Sequence, residues 1–387
     1  DGGWIRALAR NPKNASELYA SGISTPCHVF KSSNAGVSWK SVSLVQDRLD
    51  DLIVHPSNPD ILYGLAYTTL YRSKDGGRTF ASLSDFDYKS VRLEGNISIS
   101  PRKPETIYIA GSYRYSETPR KYCLAVYRSK DGGLTWTVHK LDPVSDYASV
   151  PRVAASPARA GVVYASGSYR SGGQTCQRVF KSADGGDTWT NVTGSINQQP
   201  LDLLLHPGDH NKAYVAVSDG VYRSSDGGKT WSGQASPNYF YPVVLAIDSQ
   251  NPQVLYAGSS SLVHKSTDGG VTWKAVSKGL YGEPSRVLAS GAGVHQASTA
   301  GIFRSKNGGA AWSPSHAGIR ATTVDALGIS PAAPNTIYAG LYGYAVLKTT
   351  NGGGSWSPCA EFYGSNLIAS IAVHPTNPNT LYVKPSG

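Results

Sequence analysis

Eight copies of one short motif constrain what this chain can fold into. The first is Ser32-Ser33-Asn34-Ala35-Gly36-Val37-Ser38-Trp39, and related boxes are centred on Asp75, Asp131, Asp184, Asp226, Asp268, Asn307 and Asn351. Seven close with Trp (Trp39, Trp136, Trp189, Trp231, Trp273, Trp312, Trp356) and one with Phe80. The centres are spaced by 41, 56, 53, 42, 42, 39 and 44 residues. One unit of about 42 residues is repeated, with insertions in units three and four. That period overrides the two or three domains that 387 residues would otherwise suggest.

Each unit has the same grammar outside its box. A short apolar run (Leu52-Ile53-Val54, Leu203-Leu204-Leu205) meets a Pro/Asn turn. A Leu-Tyr-Ala-Gly-like run follows, as at Leu255-Tyr256-Ala257-Gly258, then a run such as Val221-Tyr222-Arg223-Ser224, the box, and a last run. These read as four short strands, A to D, with nothing of helical period between them. The expectation is an all-β chain, residues 1–387 forming a single β-propeller of four-stranded antiparallel blades. Eight boxes suggest about eight blades, with seven to ten possible, including a seven-bladed ring plus an overhang. A partial ninth repeat, 367–387, has strands A and B only. With no Met, the chain is expected to be a processed or excised product.

The box Ser-x-Asp-x-Gly-x-Thr-Trp resembles the Asp-box, or bacterial neuraminidase repeat, of sialidases, sortilin-type receptors, xyloglucanases and photosystem II assembly factors. The resemblance covers nearly the whole chain. It implies the propeller fold; it does not choose a function, because those families share the box and do different things.

The box itself reads as structural. Its Asp accepts hydrogen bonds from turn amides, its Gly supplies positive φ and its Trp packs between blades. Asn replaces Asp at Asn34, Asn307 and Asn351, a change that preserves an acceptor but would end general-base chemistry. The formal charge of +10 also has a structural component, because the residue before the box Ser or Thr is basic in all eight units: Lys31, Arg72, Arg128, Lys181, Arg223, Lys265, Arg304 and Lys348. Spread around a ring, these cations form no patch, so no specific nucleic acid is expected as partner.

Tyrosine is distributed unevenly. Eleven of the 24 fall in strand B or C slots; the other 13 all fall in or beside B/C and D/A connections, which emerge on one face of a propeller. Both insertions lengthen B/C loops on that face. A platform is expected there, built from Tyr113, Arg114, Tyr115, Tyr169 and Arg170, since Tyr and Arg dominate binding hot spots and Tyr stacks on sugars. The competing reading is that long loops use Tyr to pack on themselves.

Cys123 and Cys176 occupy the same loops of adjacent units and are expected to form a disulfide. Cys27 and Cys359 would pair if unit eight closed against unit one. Such bridges suit an extracellular, periplasmic or cell-surface protein. Asn14, Asn96 and Asn191 open Asn-x-Ser/Thr sequons. His55, His206 and His374 precede turn prolines or occupy their slot and read as structural. No Cys-x-x-Cys or His-Glu-x-x-His spacing marks a metal site, no cofactor motif is present, and no apolar run is long enough for a transmembrane segment.

A glycoside hydrolase needs two carboxyl groups about 5 to 9.5 Å apart. Asp50, Asp51, Asp202 and Asp325 near strand A beginnings are the weak candidates, with Arg6, Arg152 and Arg286 placed similarly; the competing reading is that they line a wet channel. The Arg-Ile-Pro signature of sialidases is absent, and the tandem propellers of xyloglucanases contrast with one repeat series here. The functional expectation is a secreted or cell-surface, non-catalytic propeller that binds a protein or glycan, within a larger surface assembly in one version. The alternative is a hydrolase of xyloglucanase or sialidase type.

Overall fold

The computed structural model describes residues 5–22, 25–87, 90–93, 95–141, 145–235, 242–248, 250–259, 262–290, 293–298, 301–315, 324–330, 333–341, 345–352, 355–361, 368–373 and 377–385. Among them every regular element is a strand. Each boxed repeat forms a four-stranded antiparallel sheet in sequence order, A to D. The inner A strands of the first seven are Ile5–Arg10, Asp51–Val54, Ile97–Ile99, Ala148–Ala155, Pro200–Leu205, Val244–Ile247 and Pro284–Ser290. Each packs on the next, and the seventh packs back on the first. The ring therefore contains seven blades.

Three features recur at the joints between blades. First, the strand B Tyr of one blade faces the two box glycines of the next. Tyr63, Tyr108 and Tyr256 donate to the carbonyls of Gly132 (3.2 Å), Gly185 (3.0 Å) and Gly308 (3.1 Å). Gly186 and Gly270 have φ of 90° and 84°, and a Cβ on either would lie 3.3 Å from the ring of Tyr108 or Tyr214. Gly is thus required twice, for the turn and for the approach. Second, the basic residue before the box reaches the same carbonyls: Arg128 to Gly185 (2.8 Å), Lys181 to Gly227 (2.9 Å) and Lys265 to Gly308 (3.1 Å). Lys181 and Lys265 also lie over the rings of Tyr164 and Tyr256. Much of the positive charge is therefore used in joints. Third, Trp231 and Trp312 donate to the preceding blade, at Val192 O and Val276 O, both 2.7 Å, whereas Trp136 and Trp189 donate to Gly133 O (3.0 Å) and Gly186 O (3.1 Å) of their own boxes.

The joint between blades 7 and 1 keeps this plan with altered residues. Trp39 Nε1 donates to Ser315 O (2.6 Å), and Ser315 Oγ to Gly36 O. His295 occupies the Tyr position, opposite Arg304 as Tyr256 stands opposite Lys265. Its Nε2 lies 2.9 Å from Ala35 O. Ser285 Oγ donates to Ile5 O (2.8 Å). Aliphatic and aromatic side chains fill the spaces between sheets, for example Tyr108, Leu124, Val126, Val153 and Phe180 between blades 3 and 4.

The eighth boxed repeat forms a sheet of Val324–Ser330, Ala333–Leu341, Ala345–Thr349 and Ser357–Glu361. Its neighbour is the two-stranded pair Ile368–Val373 and Leu381–Pro385. Tyr338 here donates to Pro378 O (2.7 Å) in place of a box glycine. Seven blades in the ring and one boxed repeat after it fall within the expected range.

The boxes have a common hydrogen-bond scheme. Asp131 Oδ1 accepts from Ser129 Oγ (2.7 Å), Leu134 N (3.0 Å) and Thr135 N (2.9 Å), and Oδ2 accepts from Thr135 Oγ1 (2.5 Å). Bonds from Thr135 and Thr79 hold the Asp131 and Asp75 carboxyls down to about 2. In blade 1 the last bond reverses: Asn34 Nδ2 donates to Ser38 Oγ (2.9 Å) while Oδ1 still accepts from Ser38 N (2.9 Å). Asn and Asp therefore serve the same turn, because the hydroxyl can exchange roles.

Candidate functional site

Because the strands alternate in direction, B/C hairpins and D/A connections share one face. On it the B/C hairpins of blades 3 and 4 are the longest: Ile107–Glu117 with Arg120–Ser129, and Val163–Ser171 with Gln174–Ser182. They are joined laterally. Val91–Arg92 adds to the edge of blade 3 by pairing with Tyr113 and Ser112. Tyr122 on the blade 3 hairpin bridges to Ser145, and two residues later Tyr147 O accepts from Arg170 N (3.0 Å) on the blade 4 hairpin. Residues 145–147 thus link the two hairpins into one surface.

Tyr113 and Tyr115 alternate onto one side of their strand, with ring centroids 5.4 Å apart, edge to face. Lys140, at the end of strand D Thr137–Lys140, places its ammonium 4.0 Å from the Tyr113 centroid and 4.4 Å from that of Tyr115. Tyr115 and Tyr147 are 48% and 43% exposed, and Tyr67, on the same face in blade 2, is 49% exposed. Arg170 is exposed and Arg114 half-buried.

Tyr169 has a different position: it is buried, with the Arg178 guanidinium over its ring at 4.9 Å and donating to its hydroxyl at 2.6 Å. Tyr122 and Tyr281 are also buried. For these three the packing explanation of loop tyrosines holds. Tyr88, Tyr239, Tyr241, Tyr342, Tyr344 and Tyr363 lie outside the described residues. Lys140 and Tyr147 complete the surface. Tyr147 was visible as a D/A tyrosine, whereas Lys140 carries no motif.

The channel mouth is the second concave region, a cavity of about 450 Å³ lined by Arg6, Arg48, Asp50, Tyr67, Arg152 and Glu283, among others. Asp50 Oδ1 accepts from Arg6 Nε (3.0 Å) and Arg48 Nε (3.1 Å). Asp51 and Asp202 are buried and act between blades. Asp51 Oδ2 accepts from Ile97 N (3.0 Å) in blade 3, and Oδ1 from Arg286 (2.8 Å) in blade 7. Asp202 Oδ2 accepts from Leu245 N (2.6 Å) in blade 6, and Oδ1 from Arg152 (2.6 Å) in blade 4. In each carboxylate one oxygen accepts from an adjacent blade's backbone and the other from a guanidinium, which ties neighbouring blades together. Asp325 lies on Val324–Ser330, and its side chain is outside the described residues.

The expected bridges are not formed among the described residues. Cys27 belongs to blade 1, whose neighbour is blade 7, while Cys359 lies in the eighth sheet, so the closure their pairing required is not made. Strands A and B of blade 4 stand between the strands that carry Cys123 and Cys176. Of the sequons, Asn14 and Asn191 are exposed. Asn96 instead joins blades 3 and 4, accepting from Val153 N (2.8 Å) and donating to Val153 O (3.1 Å). His55 and His206 cap their turns through Nδ1, and burial lowers both from the ordinary imidazole value. His374 lies outside the described residues. Among the described residues no group of three or more His, Cys, Asp or Glu is placed to hold a metal ion, and no helix is long and apolar enough to cross a membrane.

The repeated box, the seven-sheet ring and the joint chemistry together decide the architecture. This chain is a β-propeller. A family profile described as "Sortilin, neurotensin receptor 3" matches residues 177–280 of the propeller. Among solved structures it is similar to the GH74 xyloglucanase of Xanthomonas campestris, at 16% identity over 96% of this chain and 70% of that one, with a TM-score of 0.63. It is also similar to YCF48 bound to a D1 peptide, at 15% identity over 79% of this chain and 93% of that one, TM-score 0.54. YCF48 from Cyanidioschyzon merolae is 13% identical over 79% and 95%, TM-score 0.55. No curated protein matches the sequence significantly. At these identities the likeness is one of fold.

Proposed function

We propose that this propeller is a non-catalytic binding module, exported or displayed at a cell surface, that takes a protein or glycan partner on its Tyr- and Arg-bearing face. The observation that carries the reading is the junction of the blade 3 and blade 4 hairpins through residues 145–147, which leaves Tyr115 and Tyr147 largely exposed on one surface. Flat, rigid aromatic rings that need little ordering are effective binding anchors. Neighbours of the same fold include one solved with a peptide and one named for a polysaccharide substrate, so both partner classes are compatible with such a scaffold.

The alternative is a glycoside hydrolase of xyloglucanase or sialidase type, which the xyloglucanase neighbour favours. With Asp51 and Asp202 engaged between blades, Asp50 and Glu283 are the carboxylates lining the channel mouth. Binding to a glycan array and to surface-protein extracts, compared for wild type and the Tyr115→Ala/Tyr147→Ala double variant, tests the proposal. Binding should fall in the double variant at unchanged melting temperature. Binding that persists at full strength would place the site elsewhere.

A further inference from the structure

Resting on the reading of this face as the binding surface, we propose that its ligand is an anionic glycan, a polymer of carboxylated or sulfated sugars. Lys140 determines the class. Its ammonium sits 4.0 and 4.4 Å from the centroids of Tyr113 and Tyr115 and is itself exposed. A neutral sugar stacks its C–H face on an aromatic ring, and here a cation already covers both rings. A carboxylated or sulfated sugar can meet the ammonium with its charge while its ring lies along the tyrosine wall, so that cation–π and ion-pair contacts reinforce each other.

Further cations flank it, beside the exposed carboxylate of Asp146. Arg120 at the blade 3 tip and Arg170 at the blade 4 tip are exposed, and Lys121 is paired with Asp146 at 2.5 Å. The two tips are tied together through residues 145–147, so the cations lie along a continuous surface rather than at isolated loop ends. Tyr115 and Tyr147 add exposed ring area along it. Cations and aromatic faces on one surface suit a repeating chain that offers a charge and a ring face in each unit.

The test uses the whole chain and three probes: an oligogalacturonide, an uncharged xyloglucan oligosaccharide of equal length, and a poly-glutamate peptide. Titration calorimetry is run on wild type, Lys140→Gln, Lys140→Arg and Tyr115→Ala/Tyr147→Ala, with melting temperatures confirming that each variant is folded. The oligogalacturonide should bind best and weaken as salt rises from about 0.05 to about 0.3 M. Lys140→Gln should weaken it by roughly threefold to tenfold, and Lys140→Arg should retain it. Preference for the neutral oligosaccharide, with Lys140→Gln binding it more tightly, would overturn the anionic assignment and leave the platform standing. Equal binding of poly-glutamate would overturn the glycan assignment. Failure of all three probes to bind, or binding indifferent to every variant, would overturn the platform itself.

Discussion

His295 Nε2 lies 2.9 Å from the carbonyl oxygen of Ala35, and this contact lies at the one joint of the ring that joins its last blade to its first. Both residues depart from the repeat. His295 stands where Tyr19, Tyr63, Tyr108, Tyr164, Tyr214 and Tyr256 stand in blades 1 to 6. Ala35 stands where the first box glycine does, at φ 54°. The imidazole is shorter than a phenol, and it is paired with the one box turn that carries a methyl group at this position.

Acid should weaken this joint. Burial, followed by Arg304 and Arg10, pushes the His295 imidazole down to about 4. Between pH 6.5 and 4 the unfolded chain binds a proton that the folded chain does not, so stability rises with pH across that window and is lost on acidification. The contribution is on the order of 3 kcal/mol. Melting temperature should fall from pH 6.5 to 4, and His295→Gln should show a shallower fall; an unchanged slope would remove His295 from the transition. His55, His139, His206 and His264 are lowered in the same direction, so some slope will remain.

The joint tyrosines should divide their contribution between hydroxyl and ring. Tyr108→Phe removes the bond to Gly185 O and should cost about 1 kcal/mol. Tyr108→Ala empties the space against Gly186 and should cost about 3 to 5 kcal/mol. Denaturant midpoints at constant slope give both values; equal costs would mean that the ring contributes little to packing.

The boxes should tolerate amide but not methyl. In Asp131→Asn the Thr135 hydroxyl can accept rather than donate, as Ser38 does from Asn34, and the melting temperature should fall little. Asp131→Ala leaves the amides of Leu134 and Thr135 without their acceptor and should lower the melting temperature by clearly more than Asp131→Asn does. Equal losses would show that the carboxylate charge, rather than the acceptor, holds the turn.

The blade plan was legible because one box recurs eight times and strand-period runs flank each copy. The number of blades in the ring was not, since consecutive repeats look alike and closure depends on how seven inner strands wedge together. Its signal lay in two paired exceptions, unit seven without its strand B Tyr and unit one without its first box Gly. The exposed face was legible from the tyrosines, but exposure was not. Tyr169 and Tyr115 occupy equivalent hairpins, and Arg178 covers one while the other projects. Lys140 meets Tyr113 and Tyr115 across two strands, which no linear spacing reveals. Asp51 and Asp202 lie on inner A strands, and Ile97 N and Leu245 N, which donate to them, belong to other blades.

The decisive measurement asks whether Asp51 and Asp202 hold the ring or perform chemistry. Reducing-end release from the bound glycan is followed over prolonged incubation, alongside melting temperatures of wild type, Asp51→Asn and Asp202→Asn. The predicted result is no release by wild type and a stability loss of about 1 to 3 kcal/mol in each variant, since each leaves a half-buried guanidinium without its charged partner. Release by wild type that either substitution abolishes while leaving the melting temperature unchanged would contradict the binding-module reading.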